Sequence, residues 1–294
     1  MKSTAETLGM FRIAFYAAVL AIYVTWDMRP WAFVSTVFWM PVSIFRFLPG
    51  PPRDAVLIGI LQLVWKFSLL SSAAGLLTRV NTAIAAVLGV YLLGLPQNFG
   101  KINHMEGIVA ILLCIFAVAR CGDAVSLDAA LFRPRARAES FEYHWPVRLG
   151  QFLFTMVFFA AGVSKLSVSG VEWMTADNLR YWLVQHQYTH SASMALGLFV
   201  ARSRPLCGVI AVATVVLELS MPLAFFSRRL RLPLLVSLFL LQTGIALTLG
   251  VYFTPYLAGY LLFLPWESWS ANFRTRSRLT APEFSDGTRT ARPA

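Results

Sequence analysis

The chain has 294 residues, 57% of them hydrophobic and 13% charged, with a formal net charge of +11. Soluble domains carry about 25% charged residues, so this composition, with a mean hydropathy of +0.64, excludes an ordinary soluble domain. The excess positive charge lies at the ends of apolar runs and in the C-terminal tail, where membrane topology and anionic lipid place it. No nucleotide-phosphate motif accompanies it, so membrane lipids are the expected partners and nucleic acid is not.

Apolar runs occupy residues 11–26, 55–78, 82–98, 104–119, 149–168, 207–227, 233–250 and 252–265. Several reach the ~20 residues that cross ~30 Å of hydrocarbon, while the shorter ones require tilt, a break or re-entry. An all-α, multi-pass helical bundle of about eight spans is expected, with seven or nine the neighbouring counts. The first run has no small-residue cleavage site and reads as a retained span. Residues 10–266 form the expected transmembrane domain, and 267–294 a basic, disordered cytoplasmic tail.

The arginines orient this bundle. Arg120, Arg133, Arg135, Arg137 and Arg148 crowd the link between the fourth and fifth runs, and Arg228, Arg229 and Arg231 fill the link between the sixth and seventh. The tail adds Arg274, Arg276, Arg278, Arg289 and Arg292. Eight spans with both termini cytoplasmic put all three clusters inside, as the positive-inside rule asks.

Two outward segments are not plain spans. Residues 30–51 are rich in Trp, Phe and Pro, which suits an interfacial or re-entrant segment, since proline interrupts helices and Trp favours the headgroup level. Residues 170–205 carry Trp173, Tyr181, Trp182, His186 and His190 and read as one or two helices lying on the outer surface. Together the two segments could roof a cavity. On the cytoplasmic side, "SLDAALF" (126–132) reads as a helix start, with Ser126 or Asp128 available to cap free amides. The cysteines Cys114, Cys121 and Cys207 show no metal-ligand spacing, and no metal site is expected.

Charges inside spans are costly and face the protein interior or a partner. Lys66 and Glu218 each lie about eleven residues into a run, roughly 17 Å deep at the helical rise of 1.5 Å. Two opposite charges at similar depth suggest a buried ion pair or, as a second reading, a solute site. Lys165 stands about 26 Å from Arg148, close to the far edge of the hydrocarbon. There it reads either as a lysine reaching the headgroups or as part of a pocket. Gln151, Phe154, Phe158, Gly162 and Lys165 share one helical face, and Gly162 allows close approach of another helix or a ligand. His104 and Glu106 open the fourth run from the same side. Lysine is ordinarily protonated at neutral pH, but an apolar site disfavours the ammonium and frees an amine able to act as a base. A histidine beside it could orient substrate or relay a proton.

Several stretches then occur in a characteristic order: "NHMEGIVAIL" (103–112), "VSLDAALFR" (125–133), "WPVRLGQFLFTMVFFAAGVSKL" (145–166), Trp173, and "LGVYFTPYLAGYLLFLPW" (249–266). In this set the chain resembles the HTTM (horizontally transferred transmembrane) domain, the membrane part shared with vitamin K-dependent gamma-carboxylases. The resemblance covers most of residues 10–266. It implies that Lys165 is a base acting on a reduced quinone of the vitamin K type and that His104 assists it; Asn103, Glu106, Trp173, Lys66 and Glu218 are the candidate supporting residues beside them. It also implies an active site open to the outer face. Three departures weigh against carboxylation of a protein glutamate. The chain ends soon after its last run, without the large lumenal part of the carboxylases. Gln242 lies where relatives carry a histidine, and Ala176 where a glycine follows the tryptophan. A reduced quinone or another small apolar, lipid-like substrate remains the expectation for an enzyme. A non-catalytic carrier built on Lys66 and Glu218, or a scaffold subunit, is the other reading. The sequence sets no oligomeric state.

Overall fold

The structure, a computed structural model, describes residues 3–48, 50–100, 105–132, 139–189 and 195–279. Thirteen α-helices follow one another among these residues: α1 Ala5–Tyr23, α2 Ala55–Ala74, α3 Thr78–Gly94, α4 Met105–Val118, α5 Leu127–Phe132, α6 Trp145–Ser169, α7 Ala176–Thr189, α8 Ala195–Arg202, α9 Arg204–Ser220, α10 Pro222–Phe226, α11 Arg228–Leu249, α12 Tyr256–Tyr260 and α13 Trp266–Leu279. No strand occurs among the described residues, which bears out the all-α expectation.

Helix starts follow ordinary capping chemistry, in which a side-chain oxygen accepts from amides that the helix leaves free. Thr4 accepts from the Thr7 amide, Asp54 from Val56 and Leu57, Ser203 from Leu206 and Ser227 from Leu230. Proline stands in the first turn of α6, α9 and α10, where its missing N–H costs nothing.

Five helices are long and apolar enough to cross a membrane, and the pair α8 and α9, bent by 105°, makes up to six. All eight apolar runs lie on helical segments, but three passes fall short of an unbroken span. α4 has only 14 residues, about 21 Å. The run 207–227 is divided between α9 and α10, and the run 252–265 between α12 and a 3-10 turn at Leu261–Phe263. Pro255 stands as the N-cap of α12.

The chain ends of the bundle meet. Ser3 pairs with Ser140 through two backbone hydrogen bonds of 2.9 and 3.2 Å, and the Thr7 hydroxyl lies 2.7 Å from that of Ser270 on α13. Both described termini therefore lie at one end, beside the loop that carries Arg120 and Arg148. Side chains exposed along the helices are apolar, as in Leu63, Phe67, Val87 and Leu240, while the interior is aromatic, with Phe11, Phe15 and Phe116 in mutual ring contact. A soluble protein would not leave so many large apolar side chains in water.

Residues 30–51 form no span. They make three short 3-10 turns at Arg29–Phe33, Thr36–Phe38 and Ser43–Phe47. Buried Asn98 holds them: its carbonyl accepts from the Met40 amide at 2.7 Å and its side-chain oxygen from Val42 at 2.8 Å. The described part of residues 170–205 holds the two helices α7 and α8. α7 and α8 pack on α9 around Leu183, Ala201 and Cys207, although His190 lies outside the described residues.

The SLDAALF stretch does more than start a helix. Ser126 accepts from the Ala129 amide at 2.9 Å and so caps α5. Asp128 reaches across to the start of α3, accepting from the Leu77 amide, the Thr78 amide and the Thr78 hydroxyl at 2.7–2.8 Å. Its carboxyl is held below the usual range: partial burial works against the charge, but the Thr78 and Leu77 donors outweigh it. A carboxylate depressed on folding stabilises above its unfolded pKa of about 3.9 and ceases to do so as pH falls through the lower native value. Wild type should therefore exceed Asp128→Asn in melting temperature by a constant margin at neutral pH, and the margin should shrink below about pH 4. A margin that does not change on acidification would contradict this role.

Candidate functional site

Lys165 ends the long apolar face of α6, five residues before Gly170 terminates the helical turn. The face is as expected: Gln151, Phe154, Phe158 and Gly162 are all buried. At Gly162 the neighbouring helix comes close: a Cβ would stand 3.1 Å from the Leu219 side chain and 3.2 Å from the Glu218 Cβ, so a larger residue would require α9 to give by a few tenths of an ångström. This close approach brings α9 against α6 and sets Glu218 opposite Lys165. The Lys165 Nζ donates to both carboxylate oxygens, at 2.7 and 2.6 Å, and lies 4.9 Å from the ring centre of Trp173. The side chains are 19% and 10% exposed, so the pair is mostly withdrawn from solvent.

The pairing of Lys66 with Glu218 inferred from depth is not formed. The Lys66 Nζ donates instead to the carbonyls of Val24 and Trp26 at 2.8 and 3.0 Å. These lie just past the end of α1, Val24 as its C-cap and Trp26 in the turn that follows, where carbonyls lack an intrahelical donor. Gln62, one turn away, donates to the Trp26 carbonyl and accepts from the Met28 amide. Lys66 and Gln62 are thus the cap of α1. Depth along a helix gave each charge a level but no azimuth, and the azimuths of Lys66 and Glu218 lead to different neighbours.

Glu106, in the first turn of α4, is not bonded to Lys165. It is buried, and its carboxylate lies 3.4 Å from the Gln97 amide nitrogen. It also borders two cavities. One, of about 510 Å³, is lined almost wholly by apolar groups of α3, α4 and the 3-10 turn at Ser43–Phe47. The other, of about 450 Å³, lies against Trp26, Asp27, Trp31 and Phe99. Leu93, Gln97 and Glu106 line both. Their volumes fall within the range of small-molecule sites. The segment 30–51 does roof the first cavity, through Val42 to Phe45, whereas residues 170–205 line neither. Lys165 and Glu218 line neither cavity. Tyr256 stands between the two acidic groups, within electrostatic reach of both Glu106 and Glu218, and its ring packs 5.0 Å from Phe158.

Asn103 and His104 lie outside the described residues. Gln242 is buried on α11 and accepts from the Tyr260 hydroxyl at 3.1 Å. His186 lies on α7 in ring contact with Trp182.

Sequence reasoning passed over Arg12, Gln62 and Asn98. Arg12 is fully buried and donates to the carbonyls of Cys121, Val125 and Ala73 at 2.9, 2.7 and 3.4 Å. The signal was present: a charge at the eighth residue of an apolar helix finds a partner or a function.

Five to six helices long and apolar enough to cross a membrane, apolar side chains exposed along them and a mostly buried lysine–carboxylate pair define a polytopic α-helical integral membrane protein. A family model described as the HTTM domain matches residues 2–269, and the chain belongs to that family. Searches of curated proteins and of solved structures found no match.

Proposed function

We propose that the protein is a membrane enzyme that removes a proton from a hydroxyl of a small, lipid-like substrate, a reduced quinone being the class that fits its family, with Lys165 as the base. The observation that carries this reading is the two-oxygen bond between Lys165 and Glu218 beneath Trp173. The ammonium can pass a proton to Glu218, leaving a free amine; the amine then takes the proton of a substrate hydroxyl, and the substrate departs as its anion. Glu218 is in this account both the anchor and the proton acceptor, a role that the sequence reading gave to neither acidic group. Asn103 and His104 are proposed, by family, to orient substrate. The cavities at Glu106 offer apolar volume for the rest of such a substrate, and the arginine-rich end is taken as cytoplasmic by the positive-inside rule. The carrier reading built on Lys66 and Glu218 is less favoured, because the two bond to separate partners.

Lys165→Arg tests the reading cleanly, since a guanidinium keeps the ion pair but cannot become a neutral base at neutral pH. In nanodiscs supplied with reduced quinone, oxygen and bicarbonate, wild type is expected to form quinone oxidation products. The variant should lose at least about 100-fold in rate with an unchanged melting temperature. Full activity in the arginine variant would remove Lys165 as base. Absence of product from wild type would reject these quinones as substrates.

A further inference from the structure

At the end of the bundle where the described termini meet, three cations converge without a counter-ion. Arg148 in the first turn of α6 lies within electrostatic reach of Arg228 and Arg231 in the first turns of α11, and Arg231 feels Arg228. None of the three has a carboxylate partner among the described residues. Like charges gathered at a surface repel, and the cost falls when an anion joins them. Two of the three are also held in place. The Arg148 guanidinium stacks 4.0 Å over the Phe225 ring and donates to the Gln151 side-chain oxygen at 2.9 Å, while Gln151 is itself fixed by a 2.8 Å bond to the Leu262 carbonyl. Arg231 donates through Nε to the Ala224 carbonyl at 3.1 Å. Each of these arginines spends one donor group on the protein and keeps others free, so their orientation is set before any ligand arrives. Arg228 is exposed and makes no such bond. Topology alone requires positive charge at this end, but it does not require guanidiniums clamped by an aromatic ring and a carbonyl.

We propose that Arg148, Arg228 and Arg231 form a binding site for the phosphate of an anionic phospholipid. The source is a lipid and not a free anion because the flanking side chains of α10 and α11 are apolar and exposed: Phe226 is 74% and Leu232 69% accessible. Acyl chains cover such groups while the headgroup meets the cations, and basic pockets between membrane helices bind anionic headgroups in this way. Guanidinium forks match phosphate geometry better than ammonium does, in keeping with arginine at all three positions.

The test is lipid binding by native mass spectrometry of detergent-purified full-length chain titrated with phosphatidylglycerol or phosphatidylcholine. Wild type is expected to retain phosphatidylglycerol preferentially. Arg228→Gln, which breaks no bond within the protein, should weaken that binding about tenfold, the loss of one charge-assisted contact. Arg148→Gln should weaken it at least as much, its fold being checked by melting temperature without lipid. Arg53→Gln, an exposed site before α2 at the opposite end, removes the same charge and should change nothing. Equal loss in Arg53→Gln would reduce the effect to net charge and overturn the site. Unchanged binding in Arg228→Gln would overturn it too. Displacement of the lipid by millimolar inorganic phosphate would make it a free-anion site and overturn the lipid assignment.

Discussion

Glu218→Leu is expected to be the most damaging single substitution in the far half of the bundle, costing about 3–5 kcal/mol. The carboxylate itself contributes little of that, since bringing two charges out of water offsets most of their attraction. The loss arises because Lys165 is left with an ammonium that is mostly buried and whose two strong acceptors have gone. Gly162 brings α9 close against α6, which leaves the Lys165 ammonium few replacement acceptors. The paired change Lys165→Met with Glu218→Leu removes both charges and should recover most of the stability, while losing the activity proposed above. Thermal unfolding in nanodiscs, followed by tryptophan fluorescence, measures all three. If the double variant is as unstable as Glu218→Leu, the pair is not what links the helices. A charge reversal, Lys165→Glu with Glu218→Lys, should lie between them.

Arg12→Ala is expected to cost about 4 kcal/mol or more. Hydrogen bonds to a charged donor contribute about 1.5–3 kcal/mol each, and Arg12 makes two short ones and a longer one to three carbonyls on separate segments. Those segments are the end of α2, the end of the α4 connection and the entry to α5. The fit is close, since Gly75 follows α2 with φ of +74° and a Cβ there would stand 2.4 Å from Ser126 and 2.7 Å from an Arg12 nitrogen. Removing the guanidinium leaves three buried acceptors and a void. Arg12→Lys keeps the charge, but one ammonium on a thin stem cannot span the same three carbonyls, so it should recover only part. Limited proteolysis between α4 and α6 should accelerate in Arg12→Ala before global unfolding. A melting temperature within a degree or two of wild type would show that the carbonyls find other donors.

Much of this architecture was legible from the sequence because the membrane imposes simple rules. A backbone in hydrocarbon must bond to itself, so apolar runs become helices; arginine placement brings the loops with Arg120, Arg148 and Arg228 to one end; and the Trp- and Pro-rich stretch at 30–51 is not a span. The ordered motifs were enough to place the chain in its family. Lys165 was legible too, since an intramembrane lysine is conspicuous among arginines. Its partner was not. Glu218 stands 53 residues further on, and spacing along a helix gives depth, not direction across the bundle. Lys66 and Glu218 therefore looked like a pair at one level, and only the packing at Gly162 decided that Glu218 turns to α6 while Lys66 turns to the carbonyls just past the end of α1. The same reason explains Asp128, read as a local cap and found to cap α3 across some fifty residues. The sequence determines which groups must find partners in an apolar medium; the crossing of the helices chooses the partners.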